Sequence, residues 1–192
     1  MAMGAAACGS GRAKALPHAT VPTATEQTTT TNPYVVPATI DAAYVNRVLV
    51  GLNMANGDTL RLVMRTRGIT QEVIDRLQAI YQNRDDVNLQ LQSLQYQLRQ
   101  AFSGMSETPG AVRTAVTDVI DASPACIFVQ VSFDDSALRA GQAAAPRTEW
   151  IGLAPIDPSR DPNHYDPTPW VIATEGISVD GKAPPNPCTA PA

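Results

Sequence analysis

Ile127-Phe128-Val129-Gln130-Val131-Ser132-Phe133 decides the fold. Ile127, Val129, Val131 and Phe133 alternate with Phe128, Gln130 and Ser132. A period of two sends successive side chains to opposite faces, which marks a strand. Downstream, Glu149, Ile151 and Leu153 alternate with Trp150, Gly152 and Ala154, a second strand. Pro169 precedes a third, Trp170-Val171-Ile172-Ala173-Thr174, which Ile177 and Val179 extend past Gly176. Upstream, after a turn at Pro109-Gly110, Val112, Thr114, Val116, Thr117, Val119 and Ile120 are β-branched and favour a strand. The spacing of Val112, Val116, Val119 and Ile120 also fits a helix face, so both readings stand.

Ahead of this region the period changes. Thr39 or Asp41 can cap a helix whose apolar face holds Tyr44, Val45, Val48, Leu49 and Leu52. Asn56-Gly57-Asp58 is expected to break it, leaving a short helix or turn over Leu60, Leu62, Val63 and Met64 that closes near Gly68. Thr70 caps a second helix with Glu72 in its first turn and Val73, Ile74, Leu77, Ile80 and Tyr81 along its stripe. A third begins at Asp85-Asp86, repeats Val87, Leu91, Leu94, Leu98 and Ala101/Phe102, and stops at Gly104. Helices followed by consecutive strands predict an α+β domain: N-terminal helices packed on a C-terminal antiparallel sheet of about four strands.

The ends read differently. Residues 9–38 interleave Thr28-Thr29-Thr30-Thr31 and other threonines with Pro17, Pro22, Pro33 and Pro37, and carry no apolar period. Such a stretch buries too little to offset its chain entropy, so it reads as a disordered linker or an O-glycosylated stalk. The domain is expected over residues 39–181, with a Pro-rich tail at 182–192. Cysteine occurs at Cys8, Cys126 and Cys188. An odd count in an exported chain leaves one cysteine with separate work. The economical division pairs Cys126 with Cys188 and leaves Cys8 for lipidation; three reduced thiols are the alternative. The net charge of -4, without a basic stretch, argues against a nucleic-acid partner. No run approaches the ~18–20 apolar residues of a spanning helix.

Ala5-Ala6-Ala7-Cys8-Gly9-Ser10 resembles the lipobox of bacterial lipoproteins. Residues 1–8 then read as the remnant of a signal peptide, with the true start upstream of Met1. That resemblance implies diacylation of Cys8, attachment to the membrane by lipid and an extracytoplasmic place at the cell envelope. The order of elements over residues 39–180, with Tyr44-Val45-Asn46 and Gly57-Asp58, resembles the cystatin-like cone of nuclear-transport-factor-like and SnoaL-like proteins. Thr-rich-stalked lipoproteins with such a domain resemble actinobacterial envelope proteins, including those accessory to lipid transport. The cone resemblance implies a ligand pocket between helices and sheet.

Chemistry-bearing residues are sparse. Asp157, Asp161, His164 and Asp166 share one Pro-punctuated segment and offer metal ligation or acid–base work; an exposed connection between strands competes. Tyr44, Tyr81, Trp150 and Trp170, with His164, are the candidate lining of a ligand pocket, against ordinary core packing. Arg61, Arg65 and Arg67 form a basic cluster suited to lipid headgroups or an acidic partner, or to solvent. No CxxC, G-x-S-x-G, H-E-x-x-H or phosphate-loop pattern occurs, so no catalytic residue, metal or cofactor is expected. Two functions remain. One is an exported, membrane-anchored lipoprotein with a non-enzymatic role, binding an envelope protein or an apolar ligand. The other is a small-molecule-binding protein or enzyme with a cone-like pocket.

Overall fold

Three helices precede the sheet in the computed structural model, which describes residues 35–141, 145–177 and 183–189. Cys8, most of the linker, Val179 and the last three residues lie outside the described residues. Asp41 starts α1 (Ala42–Thr66) by accepting the Tyr44 N–H at 2.7 Å. The helix runs 25 residues straight through Asn56-Gly57-Asp58, where a break was expected. Tertiary contacts override the local propensity there. Asn56 donates to the Tyr81 hydroxyl at 2.8 Å, and Asp58 pairs with Arg61. A side chain at Gly57 would stand 3.4 Å from the Ala111 backbone, so glycine admits the 109–111 segment. Thr70 caps α2 (Gln71–Ile80) as predicted, and α3 follows at Arg84–Arg99.

The sheet comprises β1 (Arg113–Ser123), β2 (Cys126–Asp134), β3 (Arg147–Pro155) and β4 (Trp170–Ile177), all antiparallel in sequence order. The α+β class expected from the order of elements is present, three strands are those the alternation predicts, and residues 113–123, where strand and helix both fitted, form the fourth. Ile127, Val129 and Val131 face the helices beside their partners Leu153 and Ile151 and pack with Val45, Leu49, Leu52, Val73 and Leu77. Two register shifts in β1 bend that edge towards α1, where Asn46 accepts the Val116 N–H and Asn53 donates to Thr114. The β4 edge is partly closed by the α2–α3 connection. Tyr81 bridges Ile172, Gln82 N–H donates to its carbonyl at 2.8 Å, and the Asn83 amide donates to the Ala173 carbonyl at 2.7 Å. That covering removes a template for unwanted pairing.

The far face of the sheet is also apolar: Phe128, Trp150 and Val171 are buried there, outside the helix-facing core. Residues 183–189 strap across it. Cys188 is disulfide-bonded to Cys126 in β2, and Asn186 reaches Asp121 in β1. Pro187 lies so near β3 that a side chain at Gly152 would meet its ring at 2.8 Å. The expected pairing of Cys126 with Cys188 is present, and the Pro-rich segment is thereby part of the domain's packing.

Candidate functional site

The five residues expected to line a pocket do not share one cavity. Trp170 is fully buried at the head of β4, and its indole N–H donates to the Tyr44 hydroxyl at 2.8 Å. Tyr81 is buried nearby in sequence-distant company, its hydroxyl held by Asn56. Burial, then the negative charge of Glu175, pushes that hydroxyl's pKa above the ordinary tyrosine range. These three aromatic residues fill the space between helices and sheet. Trp150 pairs with Gln130 and Gly176 and lies on the opposite, strapped face. His164 stands exposed on the β3–β4 connection with a positive φ of 53°.

That connection was the densest chemistry in the sequence, and its carboxylates are engaged with its own backbone. Asp157 accepts from Ser159 N–H and hydroxyl. Asp161 accepts the N–H groups of Tyr165 and Asp166, each at 2.8 Å. Asp166 accepts from Thr168 N–H at 2.7 Å and hydroxyl at 2.9 Å. The folded loop then grips the helices. Thr168 packs on Gly51 of α1, Arg160 donates to the Gln78 and Tyr81 carbonyls at the end of α2, and Arg76 stacks 4.4 Å from the Tyr165 ring. Among the described residues no group of three or more His, Cys, Asp or Glu could hold a metal ion.

Asp166 carries a consequence for pH. Burial raises its carboxyl from 3.8 to about 7, opposed by the Thr168 donors. The native state therefore holds a proton that the unfolded chain releases near pH 4. The stability this proton contributes is full below the unfolded value and is lost as pH rises through about 7. Thermal melts between pH 4.5 and 8.5 should show Asp166→Asn with a shallower decline than the parent. Parallel curves would refute the assignment.

A second polar cluster lies at the open end of the sheet. Glu149 is buried, and Arg147 donates to it at 2.6 Å; burial raises the Glu149 carboxyl and Arg147 pulls it back. Arg139 and Arg147 hold Asp135 below the usual carboxylate range, Arg139 having the larger effect. Surrounding protein, then the charges of Glu149 and Asp86, raise Glu175 to about 7, but its side chain is exposed and water screens that shift.

Two open grooves lie on the helical side. One, of about 610 Å³, runs between α2 and α3 with Ile74, Val87 and Leu91 as its apolar part and Arg84 and Arg160 among its polar part. The other, of about 520 Å³, lies between the end of α1 and the 101–109 segment. Its lining gathers Arg61, Arg65 and Arg67 against Met64, Phe102 and Met105. No family model, curated protein or solved structure matches this chain. The geometry therefore carries the functional reading by itself. The sequence supplied the arginines of the second groove but not its other wall. Phe102 fits the α3 stripe by spacing, yet α3 ends at Arg99 and Ala101 and Phe102 turn left-handed. Gly104 and Pro109-Gly110 were the signals that the chain reverses there.

Proposed function

We propose that this chain is an extracytoplasmic binding domain, tethered to a membrane through lipid on Cys8 and serving a non-enzymatic accessory role at the cell envelope. The Cys126–Cys188 bridge carries this reading. Structural disulfides belong to oxidising compartments, and the pairing leaves Cys8 as the remaining cysteine, within Ala-Ala-Ala-Cys-Gly-Ser and ahead of the Thr/Pro-rich stretch. Among the described residues no helix is long and apolar enough to cross a membrane. The carboxylates of the β3–β4 connection serve its own backbone, and the open concavities are surface grooves, which favours docking over an enclosed reaction chamber. Three helices before a four-stranded antiparallel sheet are compatible with the cystatin-like cone, which stays part of the proposal.

The test is metabolic labelling with an alkyne fatty acid when the gene is expressed from its native locus. Label in the parent and its loss in Cys8→Ala are expected. An unlabelled parent, or label that persists in Cys8→Ala, overturns the reading.

A further inference from the structure

The groove between α1 and the 101–109 segment gathers Arg61, Arg65 and Arg67 on one lining. Arg76, Arg113, Arg139 and Arg147 each pair with a carboxylate. Arg65 and Arg67 form no ion pair among the described residues, although the chain has a net charge of -4 and offers acidic partners freely. Arg61 is fixed at the wall beside them, one nitrogen on Asp58 and another donating to the Pro109 carbonyl at 3.0 Å. Glu107 is the one acidic residue of the lining.

Backbone conformation singles out the same place. Four non-glycine residues have positive φ among the described residues, and three of them line this groove: Arg67 at 54°, Ala101 at 48° and Phe102 at 57°. A left-handed backbone is strained for a residue with a side chain, and such strain gathers at ligand clamps. The strain has a geometric result. The left-handed turn at Arg67 closes α1 through a bond to the Val63 carbonyl, and its guanidinium sits 5.8 Å from the ring centre of Phe102. The successive left-handed turns at Ala101 and Phe102 reverse the chain, so that Phe102 is buried and Met105 joins the arginines in the lining. Methionine walls adapt to flexible apolar ligands.

We propose that this groove binds a phosphoryl group that carries an apolar chain, as a phospholipid does. The Arg65 and Arg67 guanidiniums take the phosphoryl oxygens, for which their forked donors are matched. Met64, Phe102 and Met105 receive the first carbons of the chain. This deepens the membrane-side reading above, but binding to the groove needs no acyl group on Cys8.

The experiment uses unlipidated full-length chain, so its outcome is separable from the labelling result. Dihexanoyl phosphatidylglycerol below its micelle concentration is titrated by calorimetry, with dihexanoyl phosphatidylcholine and inorganic phosphate in parallel. Saturable binding of phosphatidylglycerol, stronger than that of either comparison, is expected. It should weaken about tenfold or more in Arg65→Gln/Arg67→Gln, as loss of charge-assisted bonds implies. That variant should stay folded and melt within a few degrees of the parent, because it removes only the Arg67 contact with the Phe102 ring and the charge of Arg65 at the end of α1. Met105→Ser, a neutral change on a different wall, should weaken phosphatidylglycerol and leave any phosphate binding unchanged. Equal affinity for inorganic phosphate overturns the part of the proposal that assigns an apolar chain. Equal affinity for phosphatidylcholine, no binding, or binding that the double variant leaves intact overturns the site.

Discussion

Cys126→Ser/Cys188→Ser is expected to melt roughly 10 °C below the parent. The bridge closes a loop of 62 residues that contains β2, β3, β4 and the strap. In the chain-entropy model a loop of that length is worth about 4 kcal/mol. The cost is not confined to the unfolded state. Apart from the bridge, the strap is held by one Asn186–Asp121 bond of 3.4 Å and by the packing of Pro184 and Pro187 on the sheet, so loss of Cys188 loosens residues 183–189. Phe128, Trp150 and Val171 would then lose cover on a face that has no helix over it. The double variant should therefore bind a hydrophobic dye that the parent excludes, and the fluorescence of Trp150 should shift to the red. Denatured, unreduced parent prepared without lipid should alkylate at a single thiol, Cys8. A melting temperature within about 2 °C of the parent, with no new dye binding, would show that the strap is held by something else.

The strap also explains what alternation did and did not disclose. Period two in β2 and β3 is legible because β-branched and aromatic residues favour a pleated surface. Alternation assigns Trp150 and Ile151 to opposite faces, but it does not say which face meets the helices when both are covered. A strap at residues 183–189, distant in sequence, supplies the second cover, and only the Cys126–Cys188 pairing hints at it. Composition alone groups Trp150 with Trp170, although they lie on opposite sides of the sheet. The misreading of α1 is of the same kind. Asn56-Gly57-Asp58 is a turn signal by local propensity, and it is kept helical by Tyr81 and Ala111, residues 25 and more positions away. In the β3–β4 connection the sequence showed the carboxylates but not their task. Asx-type bonds to backbone N–H groups two to five residues on leave no compositional trace that differs from a metal loop.

The arginine groove is a mixed case. Arg61 and Arg65 are four residues apart on one helix, so their proximity follows from helical geometry. Arg67 joins them because α1 ends at Thr66 and the chain turns left-handed one residue before Gly68, the position where glycine would have allowed that turn cheaply. Nothing in the order of residues announces that choice.

Trp170→Ala is expected to cost about 3–5 kcal/mol, which makes Trp170 the most demanding side chain in the core. It is fully buried, and it stands where the β3–β4 connection enters the sheet. Thr168 sits against its backbone, the hydroxyl oxygen accepting the Trp170 N–H at 3.2 Å while its proton goes to Asp166. Truncation leaves a cavity bounded by α1, β4 and that connection, which relax little because Asp161 and Asp166 fix the connection independently. Two milder variants separate volume from hydrogen bonding. Trp170→Phe keeps most of the bulk and leaves the half-buried Tyr44 hydroxyl to find water, so about 1–2 kcal/mol is expected. Tyr44→Phe strands the buried indole N–H, so it should cost a comparable amount although it removes a single oxygen. The two are coupled through one bond, and the double variant Tyr44→Phe/Trp170→Phe should cost less than their sum. Urea unfolding of the four proteins measures the cycle. A Trp170→Ala loss below about 1 kcal/mol, or strict additivity of the two phenylalanine variants, would remove Trp170 from the centre of the core.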